Sequence, residues 1–417
     1  MSHIVHLQCV SCEKTYPRDG GVEYTCPDCG PLHGTLEVIY DYDLIRRELT
    51  PTKLKQNTNY THWRYLPLLP IEKPELILPL AVGWTPVYRN SKLAEEWGIK
   101  ELFVKDDTRN PSASLKDRAS SVAVVKALEK QVPVVTAAST GNAASSWALF
   151  TALTDMQTII FVPETAPRAK VAQLLLFGAT VIQVKGTYDE AFDLCTQAAE
   201  KWGWYNRSTA INPYLGEGKK TAALEICEQL EWKAPDYVFV SVGDGCIFQG
   251  MWKGFKELYQ LGLIEKLPRM MGVQAEGSAP LVQAWEEGRE ECRPLQPRTL
   301  ADSISVGMPR DQIKALRAVR ESDGQFIAVS DEAILEAIRI LAREVGIMAE
   351  PAGAAAMAGL KKSIAEGILP SDARVMVMVT GHGLKDIDGV MQAVTHQPVT
   401  VHNDLSDVQE KLEPFLS

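Results

Sequence analysis

Along most of the chain, short apolar runs alternate with segments whose apolar residues recur at helical spacing. Val132–Thr136, Thr158–Val162 and Thr180–Val184 are predicted strands. Between and after them, Gly141–Leu153, Ala166–Phe177 and Asp189–Trp202 have the spacing of amphipathic helices. A second series repeats the rhythm: helix Glu217–Trp232, strand Tyr237–Val242, helix Cys246–Leu261 and strand Met270–Ala275. It continues with helix Gln312–Glu321, strand Phe326–Val329, helices Asp331–Val345 and Ala352–Ile364, and strand Arg374–Val379. Upstream, the strand Leu102–Asp106 runs into a polar loop and then a helical pattern, Lys116–Lys130, with Val122 and Val125 on its apolar face. Strands separated by helices of this length build βαβ units and parallel sheets. The two series predict an α/β protein of two lobes, with a cleft at the carboxyl ends of the strands.

The first 80 residues are patterned differently. Residues 2–43 read as a compact module with glycine turns and a strand at Leu36–Tyr40. Leu44–Leu80 has no glycine and many prolines, as expected of an arm packed over the body rather than of a catalytic segment. The expected domains are a leader (1–43), a larger lobe with its arm (44–110 and 206–417) and a smaller lobe (111–205). Ser406–Leu412, in the tail, has the pattern of a capped surface helix.

Composition narrows the function. The chain has 417 residues, 46% of them hydrophobic and 23% charged, which is ordinary for a globular protein. Its net charge of -10 argues against nucleic acid or an anionic membrane as partner, while one basic pocket would suffice for a small anion. No apolar run reaches the roughly 18 residues of a membrane span, and Met1–Thr15 lacks the layout of a signal peptide. A cytoplasmic protein is the expectation. In that compartment the two C-x2-C pairs, Cys9 with Cys12 and Cys26 with Cys29, read as the ligands of a structural zinc ion rather than as disulfides. Cys195, Cys227, Cys246 and Cys292 are scattered and read as buried thiols.

The candidate chemistry lies in loops between strands and helices. Asn110-Pro111-Ser112-Ala113-Ser114-Leu115-Lys116-Asp117-Arg118 sets a lysine near a helix start, with Ser112 and Ser114 as candidate caps. A helix N-terminus disfavours a cation, so it lowers the lysine's pKa and keeps the amine nucleophilic, as condensation with an aldehyde requires. Alone, such a lysine reads as a solvated side chain; further stretches change the weighing. Ser139-Thr140-Gly141-Asn142 opens a helix after a strand, as does Val242-Gly243-Asp244-Gly245-Cys246, and both turns offer backbone amides to an anion. Thr380-Gly381-His382-Gly383-Leu384-Lys385-Asp386 follows the last strand, and Glu350-Pro351-Ala352-Gly353-Ala354 precedes a small-residue helix.

Taken together, these motifs resemble those of the fold-type-II enzymes that use pyridoxal 5'-phosphate, and specifically their threonine synthase branch. The lysine loop is similar to that family's N-P-T-G-S-F-K-D-R, with Ser112, Ala113 and Leu115 as replacements. The S-T-G-N and T-G-H-G-L-K-D stretches match letter for letter, and Leu36-Glu37-Val38-Ile39-Tyr40-Asp41 resembles the end of the leader many threonine synthases carry. The resemblance implies a two-lobed fold-type-II architecture with parallel-type sheets flanked by helices, preceded by a small zinc-ribbon-like module with four cysteines. It implies a homodimer and a small anionic amino-acid substrate.

For individual residues it implies that Lys116 binds the cofactor's aldehyde and then moves protons, and that Asn142 meets the ring's 3'-oxygen. Thr380 would meet the pyridine nitrogen, and the turn Gly243, Asp244, Gly245 and Cys246 would hold the phosphate. Ser139, Thr140 and Gly141 would hold the substrate carboxylate. His382 is either a polar contact near the ring or a packed structural histidine. The implied reaction converts O-phospho-L-homoserine and water to L-threonine and phosphate. In the substrate-phosphate motif Leu215 stands where the family has arginine, leaving Arg207 or Lys219 as the anion contact. The alternative reading is an ammonia-lyase or a β-replacement synthase of the cysteate synthase kind, which would keep the cofactor residues and change the substrate pocket.

Overall fold

The computed structural model describes residues 3–416 apart from 19, 21, 23, 140 and 167. Two sheets organise the body. The larger has the strand order Gln325–Val329, Arg269–Ala275, Tyr237–Ser241, Arg374–Val379, Glu101–Asp106 and Val87–Arg89. Its strands are parallel except for the last, which pairs antiparallel with Glu101–Asp106 at the edge. The smaller sheet is parallel throughout, in the order Thr180–Val184, Gln157–Pro163, Val134–Ala138 and Tyr205–Asn206.

Parallel strands covered on both faces read as near-continuous apolar runs, and Tyr237–Ser241 and Arg374–Val379 do so apart from Ser241 and Arg374 at their ends. Successive side chains point to opposite faces. Val238, Val240, Met376 and Met378 accordingly pack with the helices Lys116–Glu129, Tyr214–Gln229 and Cys246–Gln260. Tyr237, Phe239, Val375, Val377 and Val379 pack on the other side, with Asp331–Ile340 and Pro351–Ala365. The first two helices lie very close: a Cβ on Gly218 would sit 1.9 Å from the Arg118 carbonyl oxygen.

Beneath the lysine helix lies a buried ionic cluster. Arg118 pairs with Asp107 at 2.7 Å and with Glu225 at 2.6 Å, and Lys105 reaches Glu225 at 2.8 Å, all four side chains having no solvent exposure. Thr85, from the Gly83–Val87 entry segment, donates to Asp107 at 2.6 Å.

The leader forms a three-stranded antiparallel sheet of Thr15–Tyr16, Ile4–Cys9 and Leu36–Tyr40. It is joined to the body by buried polar contacts. The Tyr40 hydroxyl donates to Glu217 at 2.7 Å, and Lys253 donates to the Val38 carbonyl at 2.5 Å. The Leu44–Leu80 arm buries Trp63, Tyr65, Leu68 and Leu69 against that body. The tail helix runs over Leu405–Leu416, beyond the Ser406–Leu412 expected.

Candidate active site

Each candidate loop follows the carboxyl end of a strand, where ligands bind in open α/β sheets. The lysine loop follows Glu101–Asp106, the 139–142 turn follows Val134–Ala138, the 243–246 turn follows Tyr237–Ser241, and Thr380 follows Arg374–Val379. They converge on one cavity of about 660 Å³ whose wall includes Lys116, Ser139, Gly141, Asn142, Lys219, Gly243, Asp244, Gly245, Cys246 and Thr380. Thr140 lies outside the described residues. Arg207 does not reach the wall, contrary to expectation. It is buried behind it, its Nη2 donating to Ser120 at 3.3 Å and its Nε without a partner among the described residues.

Backbone pairing holds the lysine loop in place. Ser114 bridges Gly381, the Leu115 N–H donates to the Thr380 carbonyl at 2.9 Å, and the His382 N–H donates to that of Ala113 at 3.0 Å. Ala113 sits at φ 60°, in the left-handed region where a β-carbon is unfavourable, which accounts for the glycine in the family motif. Ser112 does not cap the helix. Its N–H and hydroxyl both donate to Asp117 at 2.5 Å, and Leu115 is the N-cap residue.

Lys116 thus faces the cavity at the helix start with a pKa lowered to about 8. Burial is the chief cause, and the charges of Lys219 and Arg207 add to it. Lys219 is 2% exposed, and its ammonium has no hydrogen-bond partner among the described residues. Leu215, in the arginine's place, is wholly buried in the core. Of the two cations expected as the anion contact, Lys219 lines the cavity and Arg207 does not.

The 243–246 turn opens the helix Cys246–Gln260, with Gly245 at φ 94°. A Cβ on Gly245 would lie 2.8 Å from that of Ala315, so the turn has no room for a side chain there. Asp244 does not cap this helix: its carboxylate accepts from the Arg310 N–H at 3.1 Å. The Cys246 thiol donates to Asp311 at 3.0 Å, and burial pushes it up to about 12, so it is protonated at neutral pH. His382 is not among the residues of the cavity wall, and its Nδ1 accepts from the Leu384 N–H at 3.1 Å.

These residues fit a phosphorylated aldehyde. Two amines, Lys116 and Lys219, face a common cavity, a glycine turn opens a helix beside them, and the Thr380 hydroxyl has no partner among the described residues. Other wall residues belong to no motif: Tyr188, Asp189, Asp302, Ser303 and Arg310. Arg310 pairs with Asp189 at 3.0 Å, and Lys170 pairs with Asp302, joining helices of the smaller sheet to loops of the larger one.

In the leader, the sulfurs of Cys9, Cys12, Cys26 and Cys29 all lie within 4.8 Å of one another. Cys12 and Cys26 are 3.7 Å apart, close to the roughly 3.8 Å edge of a tetrahedron with zinc–sulfur bonds of about 2.3 Å. This donor set fits zinc.

A family model described as pyridoxal-phosphate dependent enzyme matches residues 78–381. A threonine synthase of Methanocaldococcus jannaschii is 42% identical over 408 residues, 97% of this chain and 99% of its own length. A threonine synthase of Methanosarcina acetivorans is 40% identical over 98% of each chain. Among solved structures, a diaminopropionate ammonia lyase from Escherichia coli superposes with a TM-score of 0.68 at 18% identity, covering 81% of this chain and 93% of that one.

Proposed function

This chain belongs to the pyridoxal-phosphate dependent enzymes and, within them, to the threonine synthases; from that premise we propose how its own residues carry the reaction. The enzyme is a lyase that converts O-phospho-L-homoserine and water to L-threonine and phosphate. The observation that carries the assignment of residues is the pair of amines, Lys116 and Lys219, on a cavity bounded by the family's motifs.

When bound, the cofactor supplies an electron sink conjugated to the substrate's Cα. The amides of the Gly243–Cys246 turn would hold its phosphate at a helix N-terminus, and the amide of Asn142 would hold its ring oxygen. The Thr380 hydroxyl would be the partner of the pyridine nitrogen. A hydroxyl stabilises a pyridinium far less than a carboxylate would, which keeps the sink moderate. Lys116, with its amine near 8, takes the proton from Cα and moves protons at Cβ as general base and acid. Ser139, together with the backbone of the 139–142 turn, orients the substrate carboxylate. Lys219 holds the substrate's phosphate as its bond to Cγ breaks; the proton that Lys116 takes from Cβ is replaced by one delivered to Cγ, and water adds its hydroxyl at Cβ while its remaining proton leaves with the phosphate. Arg207 acts from behind the wall, through its charge on Lys116.

The lobes are proposed to divide at 44–110 and 206–417 against 111–205, with 1–43 as a zinc-binding leader. Among the described residues no helix is long and apolar enough to cross a membrane. A cytoplasmic homodimer acting on a small anionic amino acid, with no nucleic-acid partner, is the proposed setting; the net charge of -10 speaks against nucleic acid, and the relatives' activity supports the amino-acid substrate.

The test is a paired assay on the cofactor-loaded enzyme. Phosphate and threonine should appear in equal amounts from O-phosphohomoserine, and Lys219→Met should raise KM far more than it lowers kcat. Keto acid and ammonia from threonine, with no phosphate release, would favour the ammonia-lyase alternative.

A further inference from the structure

We propose that Glu350 is a positioning residue for Asn142: its carboxylate sets which way the Asn142 amide faces in the cavity, and so ties the hold on the cofactor's ring oxygen to a proton on the wall. The inference rests on the reading of this cavity as the cofactor site.

Glu350 is the N-cap residue of the helix Pro351–Ala365, where a carboxylate would ordinarily accept from the first amides. It makes no such bond. Instead its Oε1 accepts from the Asn142 Nδ2 at 2.6 Å, across the cavity wall they share. Its backbone is fixed as well, the Glu350 N–H donating to the Gly381 carbonyl at 3.0 Å. A Cβ at Gly381 would stand 2.1 Å from Glu350 Oε1, so the absence of a side chain there makes room for the carboxylate. Three separate motifs thus meet at one carboxyl group.

Glu350 is 4% exposed and has no salt-bridge partner within contact distance among the described residues. The charged groups that face it are Lys385 from the Gly383–Lys385 turn, Lys170 from the helix Arg168–Leu176, and Lys116 from the lysine helix. Lys385 is itself occupied, donating to the Ser145 hydroxyl at 2.8 Å. Burial pushes the Glu350 carboxyl up to about 7, although the Asn142 bond and the three lysines favour its ionised form.

The consequence follows from donor and acceptor counts. Ionised, the carboxylate only accepts, so the amide must turn its NH2 toward Glu350 and keep its oxygen away. Protonated, Glu350 offers a proton of its own, and the amide is free to turn and present its oxygen instead. The face shown to the cofactor's ring oxygen changes between the two states.

The experiment records the absorbance of the cofactor-loaded enzyme across about pH 5.5 to 9 for the wild type, Glu350→Gln and Asn142→Ala. The wild-type band should shift with a midpoint near 7, and the shift should vanish in both variants while the cofactor stays bound. Persistence of the same midpoint in Glu350→Gln overturns the proposal. So does its loss in Glu350→Gln with retention in Asn142→Ala, since Glu350 would then act without Asn142. Should Glu350→Gln fail to fold, Glu350→Asp serves in its place: its shorter reach should displace the midpoint, and an unchanged midpoint overturns the idea. A wild type without any cofactor band, or with a band indifferent to Lys116→Ala, would instead defeat the reading of the cavity and the inference with it.

Discussion

The amine of Lys116 is the quantity on which the chemistry turns, and it can be measured through the rate at which the cofactor-free protein captures the cofactor's aldehyde. Only the neutral amine reacts. With a pKa near 8 in place of the ordinary 10.5, the neutral fraction at pH 7 rises from about one in three thousand to about one in ten, a gain of roughly 300-fold. The capture rate at saturating cofactor should therefore climb about tenfold per pH unit and level off near pH 8. Lys219→Met removes the larger of the two cationic influences while keeping the side chain's bulk, so the levelling point should move upward. It should not return to 10.5, because burial is the larger cause and remains. Stopped-flow absorbance on the wild type and the variant gives both profiles. A wild-type rate still climbing through about pH 9.5, or a variant with an unmoved levelling point, would refute the reasoning.

Glu225→Gln should cost about 3–5 kcal/mol of stability at neutral pH, because it leaves Arg118 and Lys105 buried with one carboxylate fewer. Arg118 and Lys105 hold the Glu225 carboxyl well below the usual carboxylate range. Its contribution is thus complete above the unfolded value of about 4.3 and is lost as pH falls below it, so the gap between wild type and variant should close in acid denaturation series. Gly218→Ala should destabilise by about 1–3 kcal/mol in thermal melts and lower kcat, since a methyl 1.9 Å from the Arg118 carbonyl pushes the lysine helix away from its neighbour. Metal analysis should find about one zinc per chain, absent from a Cys9→Ser, Cys12→Ser variant. Stripping the zinc should lower the melting temperature while leaving the cofactor band in place.

Much of this was legible in residue pattern, and the shortfalls have particular causes. Apolar runs mark the strands of both sheets except Val87–Arg89 and Tyr205–Asn206, but the strand expected at Val132–Thr136 spans Val134–Ala138, since an apolar run does not mark which of its residues pair. Tyr205–Asn206 is a two-residue strand, too short to show a period. The helix expected from Glu217 starts at Tyr214, because Asn212 accepts from the Tyr214 N–H at 3.0 Å and the chain turns early. That early start carries Leu215 into the core and leaves Lys219 on the wall.

The lysine's low pKa was foreseen from its place at a helix start. Its larger causes, burial and two cations more than 90 residues away in sequence, are tertiary and invisible locally. Tyr188, at the start of the helix Tyr188–Trp202, and Ser303 and Arg310, between Glu286 and Gln312, reach the wall without belonging to any of the motifs. Glu350 was visible as a motif residue, but its bond to Asn142 was not.

The central claim is that one amine, that of Lys116, holds the cofactor. Borohydride reduction of the loaded enzyme, followed by digestion and mass spectrometry, tests it directly. The account predicts the phosphopyridoxyl label on the peptide containing Lys116, and no label there in Lys116→Ala. A label on Lys219 or any other lysine of the wild type, with Lys116 unmodified, would contradict it.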